Sequence, residues 1–216
     1  REVELKTRLM GSIISHAREK HKDDIDRAYE YFWDEQYPGD FLAGTALELG
    51  FVNFEDWFVF DYKVNDNKEL FIDLYIRNHK ELTDDELNVL NKIKDSMLSL
   101  YEVVSVSRDK RAILRDLLQD GEYDLRDKIL TKGINRGDIF ATRLLHLDGK
   151  YVMSGCVFPF AAGQKKKVLD YVTRQFKRYI KNENPEGTTK SYLKAYGDIF
   201  NLVWMNCIQK PDEHGK

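Results

Sequence analysis

The sequence predicts an α+β protein: a helical bundle over residues 1–98, a small antiparallel β-barrel of SH3 or OB type over 99–162, and C-terminal helices over 163–216 that pack on the preceding parts. Three observations carry this expectation. Apolar residues recur every three or four positions on both sides of the middle stretch and about every second position within it. Two Asp-Gly turn dipeptides, Asp120-Gly121 and Asp148-Gly149, punctuate that stretch at hairpin spacing. A meander of short strands would leave open edges, and closure into a barrel removes them.

Taken in order, the spacing predicts a helix over 2–22, where Val3, Leu5, Leu9, Ile13 and Ala17 hold a stripe. A second helix is expected over 24–36, with Ile25, Ala28, Tyr29 and Phe32 on one face and Pro38-Gly39 as the stop. A third over 41–49 ends at Gly50, and a fresh start follows at Asn53, a side chain suited to capping free amides. The stretch it opens, NFEDWFVFDY, is the most aromatic of the chain, and Phe54, Trp57, Phe58 and Phe60 belong in the core. Leu70, Phe71, Leu74 and Tyr75 place a helix over 69–79. Thr83 with Glu86 three residues on forms a capping box, the firmest helix start of the chain.

In the barrel region LYEVVSVS alternates, Arg108-Asp109-Lys110 turns the chain into RAILRDL, and Asp120-Gly121 leads into EYDLR. DIFATRLLHL and KYVMSGCVF are then joined through Asp148-Gly149. Residues 164–182 make an amphipathic helix with Val168, Leu169, Val172 and Phe176 on one side and lysines and arginines on the other. After Asn184-Pro185-Glu186-Gly187, a last helix is expected from Thr189 to Cys207.

Composition narrows the class. With 42% hydrophobic and 33% charged residues among 216, the chain can bury a sizeable core and is not a disordered segment. No apolar run nears the roughly 20 residues that span a bilayer, so a soluble, cytoplasmic protein is expected. Two cysteines make no disulfide framework. Lysines and arginines stand 13 against 22 acids in residues 1–98, 10 against 9 in 99–162 and 11 against 6 in 163–216, so the chain runs from acidic to basic.

Catalytic patterns are missing: there is no glycine-rich phosphate loop, G-x-S-x-G elbow or H-E-x-x-H. His16 and His21 beside Asp23-Asp24 are the one metal-like grouping, but ligands five apart on a helix point about 140° apart. Asp56, Asp61, Glu69 and Asp73 offer paired carboxylates for acid and base work, a pattern that solvated helix faces also produce. Cys156 with His146 suggests a nucleophile and base, yet the register about Asp148-Gly149 pairs His146 with Tyr151 and leaves Cys156 as a buried strand cysteine. Arg136-Gly137-Asp138 reads as turn chemistry. No catalytic residue, metal or cofactor is assigned.

The positive signal is cationic. Arg108, Lys110, Arg111, Arg115, Arg126 and Lys128 fall in the first half of the barrel, and Lys166, Lys167, Arg174, Lys177 and Arg178 on the basic helix 165–181. Tyr101, Tyr123 and Tyr151 are the stacking candidates. A net charge of −3 speaks against a dedicated nucleic-acid domain. The expectation is therefore a non-enzymatic binding module, first a protein-interaction or adaptor domain. Nucleic-acid binding through these cations is the alternative, and an enzyme with an unrecognised acidic site the second.

The blocks EDWFVFDY, ELFIDLYIRNH with LTDDELNVL, SLYEVVSV, LRDLL with GEYDLRD, RGDIFATRLLHLDGKYVMSG and FPF, over residues 54–180, resemble the region that accompanies SEC-C motifs in a group of largely uncharacterised bacterial proteins. The SEC-C motif itself is a compact zinc unit of closely spaced cysteines ending in a Cys-His or Cys-Cys pair. After Trp204 this chain offers only Cys207 and His214, so the resemblance transfers neither zinc nor active-site residues.

Overall fold

The computed structural model describes residues 1–127 and 130–210. Eight α-helices and six strands are present among them, in the expected order of helices, barrel and helices. The bundle comprises α1 (Glu2–Lys20), α2 (Lys22–Phe32), α3 (Gly44–Phe60), α4 (Phe71–Asn78) and α5 (Asp84–Ile93). The capping box at the start of α5 is formed: Glu86 N donates to Thr83 Oγ1 at 3.2 Å and Thr83 N donates to Glu86 Oε2 at 2.8 Å. No helix is long and apolar enough to cross a membrane among the described residues.

Three helix boundaries differ from expectation, and a glycine is the reason for two of them. The third and fourth helices are one, α3, running through Gly50. A Cβ there would lie 2.9 Å from the Trp33 ring, so Gly50 admits the fully buried indole rather than ending the helix. The last helix is two, α7 (Thr189–Ala195) and α8 (Ile199–Gln209), after α6 (Lys165–Asn182). A Cβ at Gly197 would lie 2.5 Å from Asp61 Oδ2, so the break between α7 and α8 lets the chain pass a buried carboxylate. The second helix also stops early, at Phe32, where Asp34 and Glu35 turn the chain with φ of 52° and 59°.

The barrel consists of β1 (Leu98–Ser107), β2 (Arg111–Asp116), β3 (Glu122–Leu125), β4 (Ile139–Leu147) and β5 (Lys150–Met153). The ring runs β1-β2-β3-β5-β4 and closes through β1 and β4. β1 serves two neighbours by bending at an irregularity between Val103 and Ser105. All contacts are antiparallel except β3 with β5, a parallel contact of one residue pair, Leu125 and Tyr151. That ring order, with its parallel contact, is the OB-type Greek key among the two barrel types expected. A short sixth strand, β6 (Phe158–Phe160), adds to β4 outside the ring with exposed Pro159 opposite Phe140.

Two cores result. The larger takes in α1 to α5, α6 to α8, β6 and one side of β1, β4 and β5, with Phe54, Trp57, Phe58 and Phe60 inside it as expected. The smaller fills the barrel around Tyr101, Val103, Leu114, Leu125, Phe140 and Met153. Val168 and Val172 seat α6 on the larger core, while the Phe158 and Trp204 rings meet edge to face at 5.9 Å to join β6 to α8.

A groove at the barrel seam and the charge network behind it

β4 is buried along most of its length, because α3 and α5 cover the side that faces away from the barrel interior. An arginine in such a strand must bring its own counter-charges inside. Arg143 is fully buried, with Nε 3.0 Å from Asp56 Oδ1, Nη2 2.6 Å from Asp61 Oδ2 and Nη1 3.3 Å from Asp61 Oδ1. Nη1 also donates to the Ser96 carbonyl at 2.6 Å, and the Phe60 ring lies 4.6 Å beneath the guanidinium. Burial pulls the guanidinium pKa down, but Asp61 and Asp56 outweigh it and the net shift is upward. Lys194 of α7 adds a second cation, 3.2 Å from Asp61 Oδ1, and donates to the carbonyls of Phe60, Lys94 and Ser96 at 2.7 to 2.8 Å. α3, β4 and α7 are thereby tied at one point.

The network continues towards the surface. Ser154, just past β5, donates from Oγ to Asp56 Oδ2 at 2.6 Å, and its carbonyl accepts from Lys6 Nζ of α1 at 3.4 Å. Lys6 in turn lines a groove of about 1290 Å³ between α1 and the barrel. Four further surface clefts measure 360 to 440 Å³. Tyr151 and the nearly buried Val152 and Met153 of β5 line the groove with Val3 of α1. Lys6, Lys110, Arg126 and Lys150 supply its cations, and Asp109, Asp124 and Asp127 its carboxylates. The groove lies along the weak β3–β5 contact, where the Arg126 amide donates to the Tyr151 carbonyl at 3.0 Å. It reaches the β1–β2 turn on one side and the β4–β5 turn on the other, which is where OB-type barrels take their ligands.

Its walls are fixed by α1. Asp148 in the β4–β5 turn accepts from the free amides of Glu2 at 2.9 Å and Val3 at 3.2 Å, and Glu2 Oε2 accepts from the Asp148 amide at 2.8 Å. These amides hold the Asp148 carboxyl down to about 2. Tyr123, Tyr151 and His146 form a row across the seam with centroids 5.0 and 4.8 Å apart, and Tyr101 continues it into the barrel at 6.1 Å from Tyr123. Tyr101 is buried.

The cations selected from the sequence are distributed differently. Lys110 and Arg126 line the groove. Arg111 and Arg115 lie on the outer face of β2, 3.2 Å from Asp124 and 2.9 Å from Glu122 on β3. Arg108 is exposed in the β1–β2 turn, and Lys128 lies outside the described residues. On α6, Lys166 pairs with Asp170 at 2.8 Å, Lys167 donates to the Lys210 carbonyl at 3.2 Å, Arg174 and Arg178 act on Tyr171, and Lys177 is exposed. None of these α6 cations lines the groove. Lys6 and Lys150 are not among the cations the sequence points to: Lys6 sits on a helix face with no sequence signal, whereas Lys150 is marked by its place after Asp148-Gly149.

Of the candidate acids, Asp56 and Asp61 join the Arg143 network, Glu69 pairs with Arg77 at 2.9 Å, and Asp73 lies 3.8 Å from Lys94. His146 stands opposite Tyr151, as the turn register predicts, and Cys156 is buried, which pushes its thiol pKa up. Asp138 accepts from the Asn135 amide at 2.7 Å, the turn expected at Arg136-Gly137-Asp138. His16 lies 5.4 Å from His21 and 4.6 Å from His79 by ring centroid. Among the described residues no group of three or more His, Cys, Asp or Glu is placed to hold a metal ion.

One family model matches residues 51–202, from the aromatic half of α3 to the middle of α8. This chain belongs to DUF7986, a family of unknown function. The DUF7986 match contains Arg143, both its aspartates and Lys194, and most of the groove, but α1 with Lys6 precedes it. No curated protein and no solved structure matches.

Proposed function

We propose that this protein is a protein-interaction module whose groove at the β3–β5 seam seats an extended segment of a partner protein. The observation that carries the reading is the make-up of the groove: apolar Val3, Val152 and Met153 with Tyr151, together with charges of both signs. A lining that mixes apolar residues with charges of both signs suits a protein interface, whereas a nucleic-acid groove needs a large cationic excess. Four cations against three carboxylates do not supply one. Charge complementarity favours a segment of modest negative charge, because Lys110 and Lys150 have no ion-pair partner among the described residues while Asp124 is held by Arg111 and Arg126. Kinship with regions that accompany SEC-C motifs belongs to the same proposal, since an accompanying region is one module of a larger chain.

A second reading, single-stranded nucleic acid, has one observation in its favour: the Tyr123, Tyr151 and His146 row offers ring faces where OB-type barrels stack bases. One experiment separates the two. A displayed random-peptide library is panned on the protein, and a labelled oligothymidine is titrated at low salt. Enriched peptides that bind at micromolar strength and lose about tenfold or more with Lys110→Glu plus Lys150→Glu support the interaction module. Salt-sensitive oligothymidine binding with no peptide enriched would overturn it in favour of the second reading.

A further inference from the structure

Lys6 is 8% exposed, yet its hydrogen bond to the Ser154 carbonyl is 3.4 Å long. An ammonium carries three donors, and a single acceptor at the far limit of bonding leaves it short of partners. Neither neighbouring carboxylate makes up the difference. Asp56 is turned to Arg143 through one oxygen and to Ser154 through the other, and makes no hydrogen bond to Lys6 among the described residues. Asp127, also on the groove, adds an attraction that ranks behind that of Asp56. Burial accordingly pulls the Lys6 pKa down, and the attraction of Asp56 and Asp127 opposes it without cancelling it. An ammonium with donors to spare, on a side chain otherwise buried at the groove wall, is equipped for an anion that arrives from outside.

We propose that Lys6 is the seat of a carboxylate on the bound segment, so that the partner presents an aspartate or glutamate beside an apolar side chain that meets Val152 and Met153. The inference rests on the peptide-binding reading of the groove. A carboxylate fits better than a phosphate, because a dianion is best met by several guanidinium forks, whereas Lys6 is a single point charge among three carboxylates.

The test is a side-chain and amide NMR titration of the whole chain with three capped pentapeptides: Ala-Leu-Glu-Leu-Ala, its Gln counterpart and its phosphoserine counterpart. The Glu peptide is expected to shift the Lys6 side-chain signal and the Val152 and Met153 amides saturably, and to bind at least tenfold more tightly than the Gln peptide. Lys6→Met should erase that preference while Lys6→Arg retains part of it. An unchanged amide spectrum in each variant confirms that the fold persists. Equal binding of the Glu and Gln peptides, with Val152 and Met153 shifting and Lys6 still, would leave the groove a peptide site and overturn the role of Lys6. Tighter binding of the phosphoserine peptide through Lys6 would replace carboxylate by phosphate. No shift at any groove residue would overturn both the groove reading and this one.

Discussion

Two cations, Arg143 and Lys6, sit on either side of Ser154 and receive opposite treatment. Arg143 is sealed, with two carboxylates, a carbonyl and an aromatic face around it. Lys6 is nearly as hidden but has one long bond and a wall on the groove. The difference teaches that burial alone does not mark function here. What separates the two sites is whether the fold completes the partner set, because a completed set serves the architecture and an incomplete one is available to a ligand.

The comparison breaks most sharply at Arg143. Arg143→Met leaves Asp56 and Asp61 facing each other without their main counter-charge, and should cost about 3–5 kcal/mol by urea denaturation. A loss below about 1 kcal/mol would mean that Lys194 and Ser154 already suffice. Asp198, at the start of α8, sharpens the same point from the acidic side. It is 6% exposed and has no ion-pair partner among the described residues, and its carboxyl is pushed up to about 6 by burial first. Because the folded value exceeds that of a free aspartate, the group favours the folded state below about pH 4, and this contribution is lost as pH rises through about 6. Asp198→Asn should therefore stabilise by about 2–3 kcal/mol at pH 7.5 and hardly at all at pH 4, read as thermal midpoints at the two values.

Lys6→Met should change stability by no more than about 1 kcal/mol in either direction, since a partner-poor ammonium gives up little when its stem is kept. A loss as large as that for Arg143 would make Lys6 part of the architecture after all. The smallest effect is expected for Arg115→Ala, which breaks an exposed pair with Glu122 and should cost less than about 1 kcal/mol.

Much of the architecture was legible in the residues because its signals are local. The Thr83 and Glu86 box, the Asp148-Gly149 hairpin and the strand read from 99–107 each depend on a few neighbouring side chains, and each stands in the structure, although that strand is buried on both faces through Tyr101. Gly50 and Gly197 misled because their roles are tertiary: one makes room for Trp33 and the other for Asp61, partners that no local window reveals. The same reason hid the charge network. Asp56 and Asp61 were visible as acids beside an aromatic helix, but Arg143 lies more than eighty residues on, within a strand whose one charge reads as outward-facing until α3 is laid across it. In the groove, Lys110 and Arg126 were legible from the barrel turn and strand end, while Lys6 comes from α1, brought there by Asp148 holding the start of that helix.

Pro159 has an effect beyond its own three-residue strand. β6 is the free margin of the sheet, and a proline there offers one amide fewer to an incoming strand. Strand-to-strand self-association at this margin is thereby discouraged. Pro159→Thr should promote concentration-dependent aggregation on gentle heating while the barrel itself stays intact.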